Sequence, residues 1–246
     1  MNTFYRLTMS ETKLFFREPV GVFFVLAFPP ILLVILGAVP AFREQNAELG
    51  GLRVIDLYAP IIVAMAIAML ALNGLPQALA TYREKGILRR LRTTPVRPSR
   101  MLGAQLVMCG VMSVAVMLAV QVVSRIAFDV ALPRQAAGYL LGYVLSAVSM
   151  LAIGLLIASL APSGKGAGAI GSILFFPVVF FAGLWAPRET MPEVLRRISD
   201  FTPLGAGVQS LQDATAGHWP QLLHLAVMAA WTIVAGGLAA RYFRWE

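Results

Sequence analysis

Six stretches of this 246-residue chain are long and apolar enough to cross a bilayer, at about 20–42, 58–80, 101–123, 139–160, 167–185 and 222–240. A hydrocarbon core of ~30 Å needs about 20 helical residues. In lipid every backbone amide and carbonyl must find its partner inside the protein, and the stretches lack the outward–inward alternation of a barrel. The expectation is therefore an all-α polytopic membrane protein, one membrane domain over residues 1–246. A mean hydropathy of +0.76 with 13% charged residues agrees, and is far from the composition of a soluble domain. The first stretch is expected to remain as a span. Charged residues Arg6, Glu11, Lys13, Arg17 and Glu18 precede it, and its apolar run exceeds the 7–15 residues of a cleavable signal.

Charge then orients the spans. Residues 81–101 hold seven of the twenty Lys/Arg residues between two apolar stretches. Basic residues are retained on the cytoplasmic side, since each costs about 2.5–3.5 kcal/mol at the bilayer centre. With both termini and the second and fourth loops inside, 13 Lys/Arg lie inside and 7 outside, so six helices run N-in to C-in. The net charge of +8 is explained by this retention without a nucleic-acid partner.

Smaller features give local expectations. Residues 1–19 read either as a short helix on the inner membrane surface, with Lys13 and Arg17 at the headgroups, or as an extension of the first span. Pro29 and Pro30 predict a bend in the first span, and Pro60 and Pro76 flank the second. Asn73 and Gln77, one turn apart, should turn to a helix partner or a cavity. Gly142, Ser146, Ser149 and Gly154 in the fourth span, with the Gly-rich opening of the fifth from Gly164, predict close helix packing. Beyond the fifth span, Met191, Val194, Leu195, Ile198 and Phe201 mark an amphipathic helix in an external segment at 186–221. Pro203, Gly205 and Gly207 should break it before a weakly apolar stretch near Val208–Leu211, the whole lying on or dipping into the outer leaflet. Arg241, Arg244 and Trp245 suit an inner-interface anchor.

Residue chemistry narrows the function. Gly164-Lys165 lacks the spacing of a phosphate loop, because Ser159 and Gly166 stand where Gly and Ser/Thr are needed. Ser163 lacks the first glycine of an intramembrane serine-protease motif, and His218 and His224 lie at the opposite membrane face. The single cysteine, Cys109, reads as an inert core residue, with no disulfide or metal motif. Catalysis is not expected. An ion-gradient-driven secondary transporter is the alternative, yet no ionisable residue falls well inside the six stretches to serve it.

Two motifs carry a family resemblance. Tyr82–Leu102, reading YREKGILRRLRTTPVRPSRML, resembles the cytoplasmic loop between the second and third helices of type-2 ATP-binding-cassette (ABC) exporter permeases. Phe181–Asp213 resembles the external signature of the same family through Gly183, Pro187, Met191, Pro192, Thr202, Pro203 and Leu204. The resemblance implies a half-transporter: two copies, as a homodimer, form the pathway, and separate ATPase subunits bind the ATP and Mg, with no cofactor in this chain. It implies a coupling helix, with Arg83, Glu84, Lys85, Gly86, Ile87, Leu88, Arg89 and Leu91 docking the ATPase. On the residues alone, Ile87, Leu88 and Leu91 form an apolar ridge flanked by Arg83, Lys85, Arg89, Arg90 and Arg92, which also suits an anionic lipid surface. The resemblance further implies a substrate path that Asn73, Phe175, Phe176, Phe180, Phe181 and Trp185 would line or cap. The expected cargo is an amphipathic compound: a drug, antibiotic, lipid or glycan. With no large external domain and no fused ATPase, the pattern is closest to the compact multidrug, antibiotic or glycan exporters of bacterial cell membranes.

Overall fold

The computed structural model describes residues 3–49, 51–91 and 98–243. Among them it is built of helices, with a single isolated bridge pairing Gln45 and Arg53 in place of any strand. Six helices have the length and apolarity of membrane spans: α2 (Pro19–Gly37), α3 (Val54–Glu84), α5 (Pro98–Phe128), α6 (Ala136–Leu160), α7 (Gly164–Phe181) and α10 (Leu222–Tyr242). Four shorter helices accompany them: α1 (Thr3–Phe16), α4 (Ile87–Leu91), α8 (Glu193–Phe201) and α9 (Pro203–Ala216).

The second span is the centre. Of its most apolar stretch 83% is buried, against 22% for α2 and for α7, so α2, α5, α6 and α7 are arranged around α3, while α10 packs outside against α6 and α9. Glycines make this possible. A Cβ on Gly154 of α6 would sit 2.1 Å from the Ala71 carbonyl oxygen, and one on Gly171 of α7 would sit 1.8 Å from that of Leu72. Both flanking helices thus touch the backbone of α3 through positions where only hydrogen fits.

Prolines shape two spans in one way. Pro29 and Pro30 bring no amide to bond the carbonyls of Val25 and Leu26. The helix widens just before them: over Phe23–Ala27 it makes a π-turn, and the Phe28 amide bonds back to Phe23 O. Pro76 has the same neighbour, a π-turn over Leu70–Gly74 closed by Leu75 N–H to Leu70 O. Since α3 runs from Val54 through Glu84, Pro60 and Pro76 lie inside it and do not flank it.

Several boundaries differ from the sequence expectation for local reasons. The first span ends at Gly37, because Pro40 holds Val39 extended (φ −76°, ψ 117°) and a 3-10 turn, Pro40–Phe42, follows. The fifth ends at Phe181 with Gly183 at φ +94°. The amides of Gly183 and Leu184 bond Phe180 O and Val179 O, a Schellman closure that needs glycine at that position. The N-terminal residues form a separate helix, α1, which Pro19 divides from α2. It packs along α5, where the Phe4 ring lies 3.2 Å from the place of a Cβ on Gly103.

The segment between the fifth and sixth spans departs most from expectation. Pro203 and the glycines start a helix where a break was expected. Thr202 Oγ1 caps it by accepting from Gly205 N at 3.1 Å, and Pro203 occupies its first turn. Val208–Leu211 lie in the middle of α9, which is buried against α6, α10 and α3. Gly207 has no room for a Cβ, which would lie 2.4 Å from Ser146 Oγ. The amphipathic helix α8 is present, but Val194 and Phe201 are outward, 70% and 61% exposed, while Met191 is buried. It is held down by polar groups. Arg188 bonds both Asp200 oxygens at 2.6 and 2.7 Å, His224 Nε2 lies 3.3 Å from Asp200, and Trp231 Nε1 donates to Phe201 O. Arg244 and Trp245 lie outside the described residues.

Gly171→Ala should destabilise the protein by about 1–3 kcal/mol, as overpacking of a tight contact does. Gly237→Ala, with nothing within 4 Å of its added methyl, should not. Thermal unfolding of the two variants in lipid nanodiscs, followed by intrinsic fluorescence, checks the difference.

Candidate functional site

The two π-turns meet the same space. A cavity of about 680 Å³ lies between α1, α2, α3, α5 and α7. Phe24 and Val25 reach it from the first π-turn, and Leu70, Asn73 and Gly74 from the second. A widened turn displaces the side chains that follow it, so each proline-directed bulge re-aims one wall of the cavity. Phe15, Phe175 and Phe176 add aromatic area, and Gln77, Thr81 and Tyr82 add polar groups. This is the makeup of a small-molecule site: mostly apolar, a few placed polar groups, and a volume inside the usual ~300–1,000 Å³.

Asn73 accepts from Ser172 Oγ of α7 at 3.1 Å and also lines the cavity, so the two alternatives read from its sequence position coexist. Phe175 and Phe176 line it as well. Phe180, Phe181 and Trp185 stand apart: Phe180 and Phe181 pair edge to face at 5.4 Å, and the Phe181 carbonyl accepts from Ser199 Oγ at 2.6 Å. Trp185 is half-exposed and tilts against Phe176 at 6.1 Å, so it touches the cavity only through that ring. Of the external signature, Gly183 closes α7, Pro187 leads into the 3-10 turn Arg188–Thr190, Pro192 precedes α8 and Pro203 opens α9. These residues shape the chain and lie away from the cavity.

The polar inner wall was missed from sequence. Glu11 is only 3% exposed, and its Oε2 accepts from Tyr82 Oη at 2.7 Å. Burial raises its carboxyl above the usual carboxylate range, the Tyr82 hydrogen bond opposing that in part. Gln105 is equally buried, and its Oε1 has no partner. Cys109 lies beside them on the cavity wall. The available signal was spacing: Phe4, Thr8, Glu11 and Phe15 fall on one helical face, so an acid sits in the stripe that must be buried.

The basic segment places its residues unevenly. Arg83 and Glu84 end α3 itself, and Gly86 at φ +67° turns the chain into α4, its amide bonding Arg83 O at 3.0 Å. Leu88 was expected in the ridge offered to a partner. It is 1% exposed and packs into this chain's own core, so it is unavailable for docking, and Ile87 is half-buried beside it. Lys85 and Arg90 are exposed. Arg89 and Leu91 lie on α4 by their backbone, and Arg92 with the Thr-Pro turn lies outside the described residues.

An all-α bundle of six membrane-spanning helices enclosing an amphipathic cavity is the build of a polytopic transport protein. The family profile of ABC-2 type transporters matches residues 2–215, and the chain belongs to that family, the membrane permease subunits of ABC transporters. It is similar to the inner membrane transport permease YhhJ of Escherichia coli, 28% identical over 170 residues, 65% of this chain but 44% of that permease. It thus spans less than half the length of that relative. It is also 25% identical over 215 residues to the daunorubicin resistance ABC transporter permease protein DrrB1 of Streptomyces coeruleorubidus, 83% of this chain and 72% of the relative. It is a multi-pass protein of the bacterial inner membrane.

Because the folded pKa of Glu11 is raised, its protonated form is favoured by folding. That contribution is complete below the unfolded value of about 4.5 and is lost as pH rises through the folded value. Glu11→Gln keeps an oxygen for Tyr82 without a charge to desolvate. It should therefore melt at or above the native temperature at pH 7.5, and lose the native protein's extra stability toward pH 5. Melting curves between pH 5 and 8 check this.

Proposed function

We propose that this chain is the non-catalytic membrane half of an ABC exporter, working as a homodimer with separate ATPase subunits that bind ATP and Mg, and extruding an amphipathic compound. The cavity carries the reading: aromatic rings give contact area to an apolar body, and Asn73, Gln77 and Tyr82 bond a polar end. Its wall continues to the molecular surface at Phe176, 60% exposed, where a second copy would complete it. The drug-resistance name of the Streptomyces relative supports the same cargo class. The excess of basic residues around α4 supports an N-in, C-in orientation that sets α4 in the cytoplasm, within reach of an ATPase. The exposed charges beside and on it, Lys85, which also borders the cavity, and Arg90, are the candidate docking contacts.

The test is affinity purification of the tagged protein from detergent extracts of its own host. An ATPase subunit should co-purify with the native chain. Reversal of charge in Lys85→Glu, Arg90→Glu should reduce its recovery about tenfold or more, in line with loss of two charged interface contacts. No ATPase with the native chain, together with uptake or efflux that follows an ion gradient, would transfer the protein to the secondary carriers.

A further inference from the structure

The turn joining α6 to α7 is gripped by two consecutive residues of α3. Arg83 donates to the carbonyls of Ser159, at 3.4 Å, and Ala161, at the end of α6 where carbonyls lack helical partners. Glu84 Oε2 accepts from the backbone amide of Gly164, at 3.0 Å, the first residue of α7. Ser163 Oγ accepts from Gly166 N at 3.1 Å, so the start of α7 is capped twice, once by a carboxylate that also suits its dipole.

The grip continues toward the cavity. A Cβ on Gly164 would lie 2.1 Å from Thr81 Oγ1, and one on Gly168 would lie 3.6 Å from Gln77 Oε1. Asn73 bonds Ser172 further along. Glu84, Thr81, Gln77 and Asn73 thus descend one side of α3 against Gly164, Gly168 and Ser172 of α7, and Thr81, Gln77, Asn73 and Ser172 are cavity wall. At the other end of this seam, α4 begins three residues after Glu84.

We propose that Arg83 and Glu84 are transmission residues: they clamp the α6–α7 turn to the base of α3, so that displacement of α4 moves α7 and with it the cavity wall. Arg83 is half-buried and Glu84, though exposed, turns its Oε2 to the Gly164 amide of its own chain, and partner docking is left to Lys85 and Arg90. That the displacement comes from an ATPase rests on the function proposed above, whereas the clamp does not.

Two measurements test it. In purified protein in lipid nanodiscs, hydrogen–deuterium exchange of Gly164 and its neighbours should rise about five- to tenfold in Glu84→Ala, the loss expected of a helix cap. It should stay native in Glu84→Gln, whose amide oxygen still accepts. Unchanged exchange in Glu84→Ala overturns the clamp. In the complex, a cysteine at Ser172→Cys, in a Cys109→Ser background, reports the cavity wall through its maleimide labelling rate with and without ATP and vanadate. The nucleotide should change that rate in the native clamp. Glu84→Ala and Gly164→Ala should abolish the change while the ATPase still co-purifies in native yield. Loss of the ATPase from Glu84→Ala but not from Gly164→Ala would make Glu84 a docking residue and overturn the proposal, as would a labelling rate indifferent to nucleotide in the native complex or unaffected by either variant. If no ATPase binds the native chain, the proposed function fails, and the clamp is decided by the exchange measurement.

Discussion

Direct backbone contact between α3 and the two helices beside it is what the rest of the structure depends on. Hydrocarbon gives apolar side chains no reason to prefer one another over lipid, so helices associate where their atoms pack closest. Gly154 and Gly171 supply that closeness, each lying against a carbonyl of α3. With α6 and α7 fixed on its flanks, α3 is enclosed, and the faces left exposed on the outer spans, such as Ile173 at 72% and Ile233 at 73%, are those that lipid can cover.

A fully enclosed central helix would leave no site. The prolines prevent that, because Pro29, Pro30 and Pro76 each withdraw an amide from the ladder and the turns before them widen. Two π-turns on adjacent spans, facing one space, open a cavity in a bundle otherwise packed at backbone distance. Rigid seams beside locally irregular helices are a reasonable basis for movement, since the seams carry displacement and the irregular turns absorb it.

Ionic and hydrogen-bonding groups gather at the helix ends. Arg53 binds Asp56 and the carbonyls of Phe128 and Asp129, tying the start of α3 to the end of α5. Arg188, Asp200 and His224 pin α8 to α10. Arg83 and Glu84 fasten the α6–α7 turn. Helix ends expose unpaired carbonyls and amides, so charged side chains there satisfy groups that lipid could not, and they set the order of helices around α3.

The sequence by itself determined the helical class, the number of spans and the family. Hydropathy over twenty residues and the segregation of Lys/Arg are local quantities that no packing arrangement reverses. It also marked Pro29 and Pro30 as a disturbance of the first span, for the local reason that neither brings an amide to the helix. It could not separate Leu88 in the core from Arg90 at the surface, because a five-residue helix such as α4 has no periodicity long enough to assign a face. Nor could it show that α9 is buried, since its glycines read as breakers until α6 lies against them. The cavity, the buried Glu11 beside Tyr82, and the turning of Glu84 onto Gly164 were decided by tertiary structure alone. The two hydrogen bonds join residues 71 and 80 positions apart, and the cavity gathers five helices, so that proximity exists only once the helices have chosen their neighbours.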